Sequence, residues 1–127
     1  QNILFSATMT EEVDEVLEDY FNGIFVGDIN LLRSIFHPMA FLSGDINGEP
    51  YFKTLEQYLD GVKNRKSPNE LGAKLGMEII SIEIINTIAV AKTHVPISEY
   101  NYYDLLSLSL IDGKWVIVNK LLTHVKE

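Results

Sequence analysis

Early in the chain Val13, Val16, Leu17, Tyr20, Phe21, Ile24 and Phe25 recur at alternating steps of three and one, the spacing of a single helical stripe. Glu11, Glu12, Asp14, Glu15, Glu18 and Asp19 occupy the positions between them. The pattern predicts a first helix with an acidic outer face, a capping box from Thr8 and Glu11, and a stop at Gly27. A short second helix is predicted behind Asp28 as its cap, with Leu31, Leu32, Ile35 and Phe36 inward and Pro38 ending it. Met39 to Ser43 then reads as a short strand, turned by Gly44-Asp45 and Asn47-Gly48 into Tyr51-Phe52. Thr54 and Gln57 open a third helix as a capping box, with Leu55, Tyr58, Leu59 and Val62 as its stripe. After a polar loop containing Pro68 and Gly72 the period becomes two. Strands are predicted at roughly Lys74 to Ile85, Ile88 to Val95, Tyr100 to Ile111 and Lys114 to Val125.

Helix, helix, hairpin, helix and then a four-strand antiparallel meander is a segregated α+β order, with helices covering one face of a curved sheet. A chain of 127 residues is expected to form one domain over 1–127, with 1–9 as a loosely ordered extension.

One residue interrupts the strand pattern. In the stretch YYDLLSLSL, Asp104 is in phase with the leucines of an apolar face. Asp112-Gly113 is a strong type I′ turn signal and pairs Ile111 with Lys114. Counting from it, and assuming regular alternation, Leu110 faces Trp115, Leu108 faces Ile117, Leu106 faces Asn119 and Asp104 faces Leu121. Asp104, Asn119 and Tyr102 then share the face with Trp115 and the leucines, and the opposite face carries Leu105, Val116, Val118 and Lys120. A carboxylate on an apolar face needs donors or a proton, because burying it ionised and alone is costly. A place at the rim of the sheet is the structural alternative.

Composition narrows the function classes. The net charge is −8, the pI is about 4.8, and no basic cluster is longer than the KNRK of residues 63–66, which argues against a nucleic-acid partner. No apolar run approaches the length of a membrane span. The chain has no cysteine, which excludes thiolate chemistry and disulfides. Its three histidines lack a metal-ligand spacing, so no metal and no cofactor are expected. A first residue of Gln is compatible with a processed export terminus, and the compartment stays open between cytoplasm and export.

The segments YFNGIFVGDINLLRSIFHPMAFL, TLEQYLDGV and YDLLSLSLIDGKWVIVNKLL resemble the "putative lumazine-binding" family of the nuclear transport factor 2-like superfamily. The resemblance runs from about Thr10 to about His124. It implies a cystatin-like, SnoaL-like cone: a strongly bent sheet wrapped over three helices, with an internal pocket and a homodimer packed through its outer sheet face. Isomerase-like relatives pair a tyrosine of the first helix with an acid of a late strand, a role that would fall to Tyr20 and Asp104. Their base near the end of the first strand has no counterpart here, since Phe41-Leu42-Ser43-Gly44 stands in that region.

These observations favour a domain that binds a small molecule, such as a planar heterocycle, in a pocket formed by Tyr20, Phe41, Tyr58, Tyr102, Asp104, Trp115 and Asn119. A cyclase- or dehydratase-like enzyme using His37 and Asp104 is the alternative, and a protein-interaction module with an incidental cavity is a third reading. His37 also has a structural role open to it at the end of a helix. Leu105, Val116 and Val118, with Ile79 and Val90, are expected to form the dimer face.

Overall fold

The computed structural model describes residues 3–126, with side chains from Thr8 onward. The elements are α1 (Ile3–Val26), α2 (Ile29–Ile35), β1 (Phe36–Ile46), β2 (Glu49–Thr54), α3 (Leu55–Asn64), β3 (Glu78–Ile85), β4 (Ile88–Ile97), β5 (Tyr100–Ile111) and β6 (Lys114–His124). The architecture is α+β: three helices and one curved, unclosed six-stranded sheet in the order β2-β1-β6-β5-β4-β3. The meander β3 to β6 is antiparallel, as the strand pattern predicts, while β1 joins it by pairing parallel to β6.

The apolar stripe of α1 does what its spacing requires. Val13, Leu17, Tyr20, Phe21 and Ile24 are buried, and they join Leu32 and Ile35 of α2, Leu55, Tyr58, Leu59 and Val62 of α3, and the inward residues of the sheet in one core cluster. Gly27 follows α1 with φ +73°, and Asp28 caps α2 by accepting from the Leu31 N–H. The Thr54–Gln57 capping box opens α3. Among the described residues no helix is long and apolar enough to cross a membrane.

Several boundaries differ from expectation. Helix α1 already begins at Ile3, so Thr8 lies inside it rather than capping it, and residues 3–9 belong to the helix; residues 1 and 2 of the expected extension lie outside the described residues. Phe36 is the first residue of β1, and Pro38 sits within the strand. The β1–β6 ladder is irregular between Phe36 and Phe41, where proline has no N–H to donate. Strand β3 starts at Glu78 rather than near Lys74. It carries a bulge at Ile80, which turns Ile79 toward the buried Thr93 and thus inward, not outward as expected.

The correction that matters most for the site lies in β6. Leu110 pairs with Trp115 and Leu108 with Ile117, as counted from the turn, but Ser107 pairs with Asn119. Val118 is therefore an extra residue, a β-bulge that shifts the alternation by one. From that point the inward residues are Lys120 and Leu122, while Asn119 and Leu121 face out.

Candidate functional site

The inner face of β4, β5 and β6 meets the helices at a cluster of ionisable groups. Asp104 of β5 pairs with Thr93 on one side and Leu122 on the other. It is 1% exposed. Lys120 of β6, 7% exposed, lies opposite Leu106 on the same face. Its Nζ is 3.9 Å from Asp104 Oδ2, and the Tyr20 hydroxyl of α1 donates to that same oxygen at 2.5 Å. Lys120 also donates to the Tyr58 hydroxyl of α3 at 3.5 Å and sits over the rings of Tyr20 and Tyr58, 5.1 and 4.6 Å from their centroids. The ammonium is thus compensated by a carboxylate and two aromatic faces, which is what a lysine needs to remain charged out of water.

The electrostatics follow from burial and neighbours. Burial raises the Asp104 carboxyl above the usual carboxylate range, and Lys120 and Tyr20 pull it partly back. Burial works to lower Lys120, but Tyr58, Asp104 and Tyr51 together hold it above its ordinary value. At neutral pH it is an ammonium and not a free amine. Burial, reinforced by Asp104, lifts the Tyr20 hydroxyl far above the ordinary tyrosine value, so it stays a proton donor. The Asp104 Oδ1 and Thr93 Oγ1 atoms, both buried, have no hydrogen-bond partner among the described residues.

This cluster borders a cavity of about 130 Å³ lined by Ile46, Tyr51, Tyr58, Arg65, Val95, Ile97, Tyr102, Asp104, Lys120 and Leu122. Burial also raises the hydroxyls of Tyr51 and Tyr102. Two larger hollows, of about 370 and 380 Å³, lie on the outer face of the sheet, against outward side chains such as Lys92, Leu105 and Leu121 in one and Val90, Ser107 and Val118 in the other.

The structure brings Tyr20, Tyr58, Tyr102 and Asp104 together and separates the other expected site residues from them. Asn119 faces outward because of the Val118 bulge, and its Nδ2 donates to the Phe41 carbonyl. Phe41 is 51% exposed on the outer face, since Ala40 and Leu42 take the inward positions of β1. Trp115 is buried near the opposite end of the hairpin, beside Glu12, Glu15 and Asp19 of α1 rather than beside Asp104. His37 accepts from the Met39 N–H through Nδ1 and does not line the Asp104 cavity, so the two expected proton-transfer partners do not converge there. Lys120, Arg65, Tyr51 and Thr93 escaped the sequence reading. For Lys120 a signal existed: a carboxylate on an apolar face demands a cation, and Lys120 needs only a one-residue shift of β6 to supply it.

The model of the family described as "Putative lumazine-binding" matches residues 8–123, which takes in all the residues of this cluster. The chain belongs to that family. A neighbour of known structure, an NTF2-like protein of unknown function from Shewanella baltica OS155, superposes with a TM-score of 0.83 at 25% identity, covering 95% of this chain and 97% of that one. An NTF-2-like protein of unknown function from Silicibacter pomeroyi DSS-3 shares the fold, with a TM-score of 0.80 at 20% identity over 94% and 98% of the two chains. The aldolase FrzH of Cladobotryum sp. is 30% identical over 104 residues, 80% of each chain.

Proposed function

We propose that this member of the putative lumazine-binding family is a small-molecule-binding domain whose ligand sits in the cavity above Asp104 and Lys120. The observation that carries this reading is the buried Tyr20–Asp104–Lys120–Tyr58 cluster beside a cavity, with one carboxylate oxygen unpartnered among the described residues. A buried acceptor without a donor costs free energy that a ligand hydroxyl or N–H would recover. The walls suit a compact planar molecule: Tyr51, Tyr58 and Tyr102 supply aromatic faces. At about 130 Å³ the cavity is smaller than the ~300–1,000 Å³ of drug-sized sites, which favours a ligand of one or two rings over a large one.

Native mass spectrometry of gently purified protein, followed by denaturation, tests this reading against Ile97→Trp, a substitution at the cavity wall that leaves the ionisable cluster intact. A discrete mass released from the natural protein and absent from the variant is expected. Equal retention by both would put the ligand elsewhere, and a bare natural protein would remove the support for a stably bound ligand.

An enzymatic reading is favoured by a different observation: the relative named as an aldolase, together with an acid, an ammonium and tyrosine hydroxyls in one cluster. The protonated Lys120 would act there by stabilising an enolate or alkoxide oxygen, in the manner of an oxyanion site, rather than as a nucleophile. Asp104 would move the carbon-bound proton. Deuterium uptake at the α-carbons of levulinate in D₂O, catalysed by the protein and lost in Asp104→Asn, would establish it; uptake at the uncatalysed rate would count against it.

The family resemblance and the apolar outer face of the sheet also support a homodimer packed through Leu105, Val116, Val118 and the expected Val90, to which the exposed Leu121 adds area.

A further inference from the structure

We propose that the cavity selects a small organic anion, an aromatic or conjugated carboxylate held between Lys120 and Arg65, over its neutral isostere. This rests on the ligand-binding reading above and adds to it the charge and class of the occupant.

Three charged side chains line the cavity: Asp104, Lys120 and Arg65. Asp104 and Lys120 compensate each other at 3.9 Å, whereas Arg65 has no ion pair with any carboxylate among the described residues. Two cations and one carboxylate leave the cavity with one unbalanced positive charge, in a chain whose net charge is −8. The local excess is therefore set against the field of the whole molecule.

Arg65 reaches the cavity because it is the C-cap of α3, where extended backbone (φ −112°, ψ 159°) takes the chain out of the helix. Its positive charge acts on the interior: it lowers the proton affinity of Tyr20, Tyr51 and Tyr102, against the dominant raising effect of burial. A guanidinium at the mouth and an ammonium on the floor give a carboxylate two charge-assisted donors at separate points. The tyrosine rings take the planar body of the ligand. Asp104 Oδ1, which has no partner among the described residues, accepts from any hydroxyl or amino substituent the anion carries. The small volume excludes large acids such as bile or fatty acids and leaves the benzoate size class.

The test is an NMR titration of the full chain and of Arg65→Gln with sodium benzoate and with benzamide at millimolar concentration, following the ring signals of Tyr51, Tyr58 and Tyr102. Arg65 is exposed at the end of a helix, so its replacement by glutamine leaves the core untouched. Benzoate is expected to bind about tenfold more tightly than benzamide, the scale of a hydrogen bond to a charged group, and the gap is expected to close in Arg65→Gln. Equal or tighter binding of benzamide by the natural protein would overturn the anion selectivity while leaving the binding site in place. A gap that persists undiminished in Arg65→Gln would overturn the role of Arg65. If neither probe moved any of the three rings, the ligand-binding reading would fall together with the inference.

Discussion

Asp104 and Lys120 are held by each other and by two tyrosines at a position where neither charge would remain alone. Removing one partner of such a pair strands a buried charge at a cost of about 3–5 kcal/mol, whereas replacing both with apolar groups is commonly neutral or better. Lys120→Met should therefore lose about 3–5 kcal/mol in urea unfolding, and the double variant Asp104→Leu/Lys120→Met should recover most of that loss. Losses that simply added in the double variant would show the two side chains acting separately. The pair also has a pH signature. Because burial raises the Asp104 carboxyl above its ordinary 3.8, the folded chain holds that proton more tightly than the unfolded chain does. Its contribution to stability is complete below pH 3.8 and is lost as pH rises through the folded value. Lys120, held above its ordinary 10.5, contributes fully below that value and loses its contribution only as pH climbs through its higher folded value. Measured against Asp104→Asn, the natural protein should thus lose relative stability as pH rises from 3.8 through the raised folded value of Asp104. A flat or rising difference would mean that the lysine outweighs burial at Asp104.

At the scale of elements, two glycines make opposite predictions. Gly44 of β1 has φ +139°, and a Cβ there would lie 1.9 Å from the carbonyl oxygen of Leu122 in β6, its partner in the parallel ladder. Gly44→Ala has to move backbone and is expected to cost more than about 2 kcal/mol or to prevent folding. Gly61, inside α3 with nothing within 4 Å of its Cβ position, should gain about 0.5–1 kcal/mol on substitution by alanine. Paired urea titrations decide both; a tolerated Gly44→Ala would contradict the close approach of β1 and β6. The same junction marks what the sequence could and could not reveal. The stripe of α1, the caps at Asp28 and Thr54, and the turns at Asn47-Gly48 and Asp112-Gly113 were legible because each depends on residues within a turn or two of one another. The β1–β6 pairing and the bulge at Val118 depend on contacts between distant segments. Nothing in the run Ile117-Val118-Asn119-Lys120 distinguishes a bulge from regular alternation, so the count from the turn placed Asn119 where Lys120 belongs. Asp104, Tyr20, Tyr58 and Tyr102 were legible all the same, since an acid in phase with leucines stands out before its partner is known.

For the whole molecule the decisive feature is the side of the sheet turned away from the helices. One transverse row across five strands runs Lys92, Leu105, Leu121, Ser43 and Phe52, and Leu105 and Leu121 in it remain 41% and 43% exposed. Next to this row lie the two outer hollows, against which side chains of a second sheet could pack. An interface with two-fold symmetry uses the same patch on both chains, so a single substitution enters it twice. Leu105→Glu would place two carboxylates close to such an axis, against apolar surface and without a basic partner beyond Lys92. Light scattering is therefore expected to give a dimer mass for the natural protein and a monomer mass for Leu105→Glu, with circular dichroism unchanged. A natural protein that is monomeric, or a variant that stays dimeric, would remove this interface. The cavity above Asp104 lies on the other side of the sheet, so the monomeric variant should still bind benzoate as the natural protein does. Loss of binding along with the dimer would instead show that packing of the outer faces sets the bend of the sheet, and through it the width of the cavity between Tyr51, Tyr58 and Tyr102.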